Sequence, residues 1–167
     1  MKKLVTALGL ILTLSVLTAC HPEFVTETNP LGELSKAAEE KGEEIMDCIK
    51  SDDRETLKEM FCDELKNSED FDQVLEKALD FIDGGIISCE NVGGSGGRSS
   101  VREDIRPKFV DVKTDAGKSY TISISIYIKH TDPAKLGIRY FDIWLDGDEK
   151  GKEGIRTEEN NFLIYTE

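Results

Sequence analysis

The chain has 167 residues, a formal charge of −13, and charged side chains at 33% of its positions. This length corresponds to one domain, and 38% hydrophobic residues with 7% aromatic residues are enough for one modest core. An evenly spread acidic excess repels phosphate backbones, so these numbers argue against a nucleic-acid partner.

Residues 1–19 have the organisation of a secretory leader. Lys2 and Lys3 form a positively charged start, and residues 4–17 are an apolar run. The run is too short for a stable transmembrane helix and has the length of the apolar part of a signal peptide. The sequence therefore predicts that this segment is removed and does not belong to the fold.

The leader ends in a motif that resembles the bacterial lipobox, Leu17-Thr18-Ala19-Cys20. In such a motif the small residues let the backbone enter a peptidase site, and the cysteine thiol takes a diacylglyceryl group as a thioether. We expect cleavage before Cys20, acylation with chains such as palmitate, and a lipoprotein anchored at the extracytoplasmic face of the cell membrane. Each acyl chain contributes about 0.8 kcal/mol per buried CH₂, so two or more chains hold a protein firmly. The alternatives are an ordinary secretory signal with a coincidental cysteine, or an uncleaved N-terminal anchor.

A short tether and a helical region are predicted next. Residues 20–30 contain two prolines and no periodicity, which is typical of a tether, and residues 31–167 form a single domain. Helical spacing of apolar residues predicts three helices, the second of which is capped by Asp52 with Glu55. The apolar stripes of the three helices are Leu34, Ala37, Ala38, Ile45, Cys48 and Ile49; Leu57, Met60, Phe61 and Leu65; and Phe71, Val74, Leu75, Ala78, Leu79 and Ile82.

After Gly85 the apolar period changes to two, which predicts antiparallel strands. The predicted strands are residues 86–91, 108–113, 119–130, 137–146 and 161–165, the last at the edge of the sheet. The glycine-rich residues 93–97 are expected to form a flexible hairpin loop, because no helix follows that could complete a phosphate cradle. Three helices followed by strands predict an α+β fold with the helices on one face of the sheet.

Metal and histidine chemistry find little support in the sequence. His21 belongs to the tether and His130 lies at a strand end, so no catalytic triad or histidine zinc site can be assembled. The segment that starts at Asp146 resembles the start of a calcium loop. Lys150 occupies a ligand position in it, and Thr157 stands where a bidentate glutamate should close the loop. We therefore expect no metal, no cofactor and no catalytic residue of these classes.

Three cysteines remain after lipidation, namely Cys48, Cys62 and Cys89. An extracytoplasmic location permits a disulfide, although an odd number leaves one thiol unpaired in a monomer. In a helical hairpin Cys48 and Cys62 would be offset by roughly 9 Å along the axis, beyond the ~7 Å reach of a disulfide. Free thiols are the preferred prediction, and a bond between Cys48 and Cys89 stays open.

The strand at residues 137–146 carries the candidate binding surface. Its core face is formed by Phe141, Ile143 and Leu145. The opposite face carries Tyr140, Asp142 and Trp144, and Tyr127 joins them if the strand register allows. Such rings combine apolar area with a polar tip and suit a ligand or partner surface. The alternative is that Tyr140 and Trp144 only cover the sheet or fill the interior.

Four segments carry a resemblance to a known family. They are DRETLKEMF at residues 53–61, FDQVLEKALDFIDGGIISCE at 71–90, VDVKTDAGKSYTISI at 110–124 and HTDPAKLGIRYFDIWL at 130–145. The domain resembles the domain of unknown function 5104 of bacterial lipoproteins, within the superfamily of nuclear-transport-factor-two-like, or cystatin-like, folds. The resemblance implies a cone-shaped, strongly curved antiparallel sheet around the helices, with a cavity or its collapsed remnant inside. It supplies no catalytic residues.

The leading functional hypothesis is a lipid-anchored, non-enzymatic module that binds a small ligand or an envelope partner. The alternative is an enzyme of isomerase or dehydratase type that uses a carboxylate such as Asp142 inside the cone. A general base needs desolvation and a pocket, whereas an exposed Asp142 favours the binding module. A structural envelope protein without a ligand is a third possibility that the sequence does not separate from the first.

Overall fold

The structure, a computed structural model, describes residues 30–147 and 161–166. The leader, Cys20, the tether up to residue 29 and the calcium-loop positions Lys150 and Thr157 lie outside the described residues. No helix within the described residues combines the length and the apolar character needed to cross a bilayer.

Four α-helices precede the sheet in the described chain, whereas three were predicted. They are α1 (Pro30–Ser51), α2 (Arg54–Glu59), α3 (Asp63–Lys66) and α4 (Phe71–Asp80). The predicted second helix is divided because Phe61 forms a parallel bridge with Ile138. The Cys62 amide donates to the Ile138 carbonyl at 3.0 Å, and the Ile138 amide donates to the Met60 carbonyl at 2.8 Å. Pairing with the sheet thus interrupts a helical pattern.

The cap of α2 is Asp53, not Asp52 as predicted. A carboxylate oxygen of Asp53 accepts a 3.1 Å hydrogen bond from the Thr56 amide, which satisfies a free donor of the first turn. Hydrogen bonds from the Thr56 side chain and backbone lower the pKa of Asp53. Asp52 has a left-handed backbone with φ of 52°, and its side chain pairs with Arg54 at 2.7 Å.

Five described strands form one antiparallel meander in the order of the chain. They are β1 (Ile86–Arg98), β2 (Arg102–Thr114), β3 (Ser119–His130), β4 (Gly137–Leu145) and β5 (Asn161–Tyr165). A short 3₁₀ helix (Pro133–Lys135) connects β3 to β4. The fold class is therefore α+β with an open five-stranded sheet.

The glycine-rich residues 93–97 lie inside β1, so the predicted hairpin loop is wrong. They contact the start of α1: the Ser35 hydroxyl donates to the Gly94 carbonyl at 2.8 Å. A Cβ atom added at Gly96 would lie 2.7 Å from Cβ of Leu34. Glycine is used here because it lets a helix approach the strand closely, not because the chain must turn.

The hydrophobic core lies between the helices and one face of the sheet. Phe61 is at its centre, with edge-to-face contacts to Phe71 and Phe141 at centroid distances of 5.0 and 5.9 Å. The strands β2, β3 and β4 contribute fully buried residues to this core. These include Ile105, Phe109, Val112, Tyr120, Ile122, Ile124, Ile138 and Ile143.

The three domain cysteines are free thiols, as preferred from the sequence. Cys48 and Cys62 are buried and Cys89 is half-buried. Burial raises the pKa of the Cys62 thiol, and burial with the nearby Asp53 carboxylate raises that of Cys48. Both thiols are therefore held in the protonated, unreactive form at neutral pH.

The alternation of β3 changes before the strand ends. Alternation from Tyr120 to Ile128 predicts that every second residue faces the core; Ile126 is buried accordingly, but Ile128 is 40% exposed. Glu103 of β2 pairs with Lys129 while Asp104 pairs with Tyr127, so Ile128 is an extra residue in the ladder. Such a bulge resets the side-chain alternation, which a period-two pattern does not reveal.

Candidate functional site

The face of the sheet opposite the helices, called the outer face here, carries the polar residues of the strands. In β2 these are Arg102, Asp104, Arg106 and Lys108, the last three of which alternate with the buried residues Ile105, Pro107 and Phe109. The alternation continues onto β3, where Ser123 pairs with Lys108. A row of polar side chains therefore crosses several strands on one side of the protein.

Three of the four predicted surface residues lie together on the outer face. Tyr140, Asp142 and Trp144 are opposite Ser125, Ser123 and Thr121 of β3. They follow one another at every second position of β4, so their side chains leave the same side of the sheet.

Asp142 differs from an exposed surface residue, because its side chain has an exposure of 0%. Its Oδ2 atom accepts a 2.8 Å hydrogen bond from the hydroxyl of Tyr140. Asp142 is therefore placed to orient Tyr140 and does not itself reach solvent. Trp144 is half-buried, and Nζ of Lys108 lies 5.8 Å from its ring centroid, within the range of a cation–π contact.

A groove of about 690 Å³ extends from Ser35 of α1 past β1 and β2 to the serines and Tyr140 of the outer face. It lies where β1 has a register shift between Asn91 and Gly94, which locally disrupts its ladder with β2. Its lining combines hydroxyl groups with two cations, namely Ser35, Ser95, Ser123, Ser125 and Tyr140 with Arg106 and Lys108.

The two cations of the groove have different partners. Nε of Arg106 pairs with Oδ2 of the buried Asp104 at 2.8 Å. Within the part of the chain that the structure describes, no carboxylate pairs with Lys108 and none lines the groove. Lys108 is thus a cation whose charge is not neutralised by an acidic side chain of the described domain.

Charge is unevenly distributed between the two layers. Residues 30–83, which form the helices, contain 18 acidic and seven basic residues. Residues 84–147, which form β1 to β4, contain eight acidic and nine basic residues. Within residues 30–147 the negative charge therefore lies mainly in the helices, and the charges of β1 to β4 are nearly balanced.

Tyr127, the fourth predicted surface residue, lies on the outer face but outside the groove. It is only 5% exposed, and its hydroxyl accepts a 3.0 Å hydrogen bond from Nη1 of Arg102. Nη1 of Arg139 donates to the same oxygen, and the His130 ring is stacked on the Tyr127 ring at 5.1 Å. Tyr127 is thus covered by basic side chains.

The basic and hydroxyl lining of the groove was not predicted from the sequence. Arg106 and Lys108 alternate with core residues, but the predicted strand began only at Lys108, so the pattern was incomplete. Ser123 and Ser125 alternate with the isoleucines of β3, and this pattern alone predicts a wetter face without a role. In the described residues no three His, Cys, Asp or Glu side chains are close enough to hold a metal ion.

Comparison with known protein families gives a match over most of the domain. The family model described as Domain of unknown function (DUF5104) matches residues 44–164, which covers α1 from its middle and every later element. No curated protein matches the chain.

Proposed function

The chain belongs to the DUF5104 family, and from this premise we propose that it is a lipid-anchored, extracytoplasmic module that binds a small anionic ligand in the outer-face groove. The family description names no activity, so the proposal depends on the groove and on the leader motif.

The observation that carries the proposal is the environment of Lys108. Its ammonium group lies beside the Trp144 ring at the groove, without a carboxylate partner among the described residues. A ligand carboxylate or phosphate would supply that partner. Charge-assisted hydrogen bonds of this kind are about twice as strong as neutral ones.

The hydroxyl groups of the groove add directional recognition. Ser123 and Ser125 from β3 and Ser95 from β1 can each donate and accept a hydrogen bond. A ligand that carries hydroxyl groups beside its anionic group therefore finds partners for both. Pockets of a few hundred Å³ with a small number of polar groups are typical of small-molecule sites.

The location of the protein is part of the same proposal. The lipobox-like segment at residues 17–20 supports lipidation of Cys20 and an anchor in the outer leaflet of the cell membrane. The domain would then stay at the membrane without a spanning segment and would meet ligands of the extracytoplasmic space.

We also propose that the fold is of the nuclear-transport-factor-two-like, cystatin-like type with a cone-shaped sheet. Register shifts in the first three strand pairs support strong curvature, because each bulge bends a strand and increases its twist. The helix-facing side is filled by side chains such as Phe61, Phe109 and Phe141, which corresponds to a collapsed interior.

A second candidate function is supported by the contact between Tyr140 and Asp142. A desolvated carboxylate next to a groove-lining phenol is an arrangement that can move a proton. In an enzyme of isomerase or dehydratase type, Tyr140 would contact the substrate and Asp142 would hold its hydroxyl. Turnover of a groove ligand that is lost in Tyr140→Phe would favour this candidate over the binding module.

Calorimetric titration of the full chain in detergent tests the proposal. The ligands are small hydroxylated carboxylates and phosphates, each with a neutral analogue of the same size. We expect the anions to bind and Lys108→Ala to weaken them at least tenfold, about 1.4 kcal/mol. Lys113→Ala is the matched control, since it removes an exposed cation of the same strand outside the groove.

Two results would contradict the proposal. One is equal binding of the neutral analogues, which would show that charge plays no part. The other is unchanged affinity in Lys108→Ala with an unchanged melting temperature.

A further inference from the structure

We infer that the ligand is an acidic glycan, a linear sugar chain bearing carboxylate or phosphate groups, and that a second anion subsite around Tyr127 binds it outside the groove. This inference rests on the proposed function and names its ligand class.

The second subsite is formed by Arg102 and Arg139. Both guanidinium groups donate to the single hydroxyl oxygen of Tyr127, and their central carbons lie 5.3 and 4.6 Å from its ring centroid. Nη2 of Arg139 also donates to the Thr166 carbonyl at 3.0 Å, which fixes its position. Two cations are therefore held close together on one phenol ring.

The positive charges of Arg102 and Arg139 are only partly neutralised by acidic side chains of the described residues. Asp104 is 3.9 Å from Nε of Arg102, but its other oxygen pairs with Arg106 at 2.8 Å. Among the described residues no carboxylate pairs with Arg139. Like charges at short range repel one another, and an oxyanion between the two guanidinium groups would remove that cost.

The two subsites lie in line along β2. Arg102, Arg106 and Lys108 share the outer face, and strand geometry separates Arg102 from Arg106 by ~13 Å and from Lys108 by ~20 Å. A single small anion cannot reach both ends of this row. A linear molecule with repeated anionic groups can occupy the groove and the Tyr127 subsite at the same time.

The lining of the groove favours a sugar chain over other polyanions. Serine hydroxyls match sugar hydroxyls as donors and acceptors, and the groove-lining Tyr140 adds an aromatic ring beside them. A flat bilayer would not fill a concave groove of about 690 Å³.

The test is a titration of the full chain in detergent with galacturonate and with oligogalacturonates of increasing length. Methyl-esterified oligomers are the neutral control. We expect affinity to rise at least tenfold between galacturonate and the oligomers long enough to span both subsites. Arg102→Ala, alone and with Arg139→Ala, should abolish this gain and leave galacturonate binding unchanged.

The control pair is Lys113→Ala with Lys118→Ala, two cations of the β2–β3 hairpin that lie outside both subsites. Arg102→Ala alone guards against misfolding, because the Arg102 side chain is exposed and, of the two arginines, it is Arg139 whose side chain hydrogen-bonds to the C-terminal segment. Melting temperatures are compared for all variants.

Each other outcome has a defined meaning. Equal affinity for short and long oligomers, with both lost in Lys108→Ala, would overturn the second subsite and leave the proposed function standing. Tighter binding of poly-glutamate, or of phosphatidylcholine vesicles containing phosphatidylglycerol, would overturn the glycan class. No binding of any anion would overturn both the inference and the proposed function.

Discussion

The hydroxyl of Tyr140 and the carboxylate of Asp142 form a 2.8 Å hydrogen bond between alternate residues of β4, and Asp142 is fully buried. This bond joins a side chain that lines the groove to one that no solvent reaches. It fixes the Tyr140 ring before any ligand arrives.

Tyr140→Phe should therefore lower the free energy of unfolding by about 1–3 kcal/mol, the cost of removing a hydrogen-bond donor from a buried carboxyl group. Urea unfolding measures this change. Tyr165→Phe is the control, because Tyr165 is 60% exposed and should change stability by less than about 0.5 kcal/mol. Equal stability of wild type and Tyr140→Phe would show that the bond is not maintained in solution.

Gly96→Ala should destabilise the protein by about 1–3 kcal/mol, because the added methyl group meets Leu34 of α1 and overpacking has costs of this size. Ser95→Ala, at the exposed neighbouring position, is the matched control and should be nearly neutral. Thermal unfolding compares the two. A neutral Gly96→Ala would mean that α1 does not pack on the glycine-rich part of β1.

The cap at Asp53 predicts a dependence of stability on acid. The pKa of Asp53 is lowered in the folded state by its hydrogen bonds from Thr56, so the carboxylate stabilises the fold fully above the unfolded-state pKa of about 4. The stabilisation is lost as the pH falls through the lowered folded-state pKa. Wild type should therefore exceed Asp53→Ala in urea midpoint at neutral pH, with the difference shrinking at strongly acidic pH.

Asp53→Asn separates the charge from the cap itself. Asparagine also caps helices but does not titrate, so its advantage over Asp53→Ala should not vary with pH. The same pH dependence in the Asn and Asp proteins would assign the effect to another group.

Cys20→Ser should abolish lipidation and release the protein from membranes. The serine hydroxyl cannot form the thioether, and the apolar leader alone is too short for a stable span. Metabolic labelling with palmitate and membrane fractionation measure both effects. Cys89→Ser is the control and should keep label and location; a labelled, membrane-bound Cys20→Ser protein would disprove the anchor.

The fold class and most strand positions were predictable because they depend on local alternation. The alternation from Tyr120 to Ile126 and the change of apolar period after Gly85 both have short-range causes. The division of the second helix had no such signal, since Phe61 and Ile138 are distant in the chain and meet only when the sheet is complete. The glycine-rich stretch was misread because glycine also serves close packing between a helix and a strand.

For the candidate site, the sheet face of each residue was predictable, but its burial was not. Alternation places Tyr140, Asp142 and Trp144 on one face, yet it contains no information on which of them is covered. The burial of Asp142 and the covering of Tyr127 by basic side chains depend on neighbouring strands. The register of these strands is set by bulges. Arg106 and Lys108 form a candidate site only together with serines of another strand, and the sequence does not show that these residues meet.

The bridge between Phe61 and Ile138 has a further consequence for solubility. β4 is bordered by β5 from Tyr140 onward and by the Met60–Cys62 backbone at its beginning, so neighbouring segments share the protection of one strand edge. Open strand edges recruit other chains into aggregates. Local unfolding of the short helices α2 and α3 would expose the beginning of β4. The two helices therefore protect this strand edge from self-association, in addition to contributing to the core.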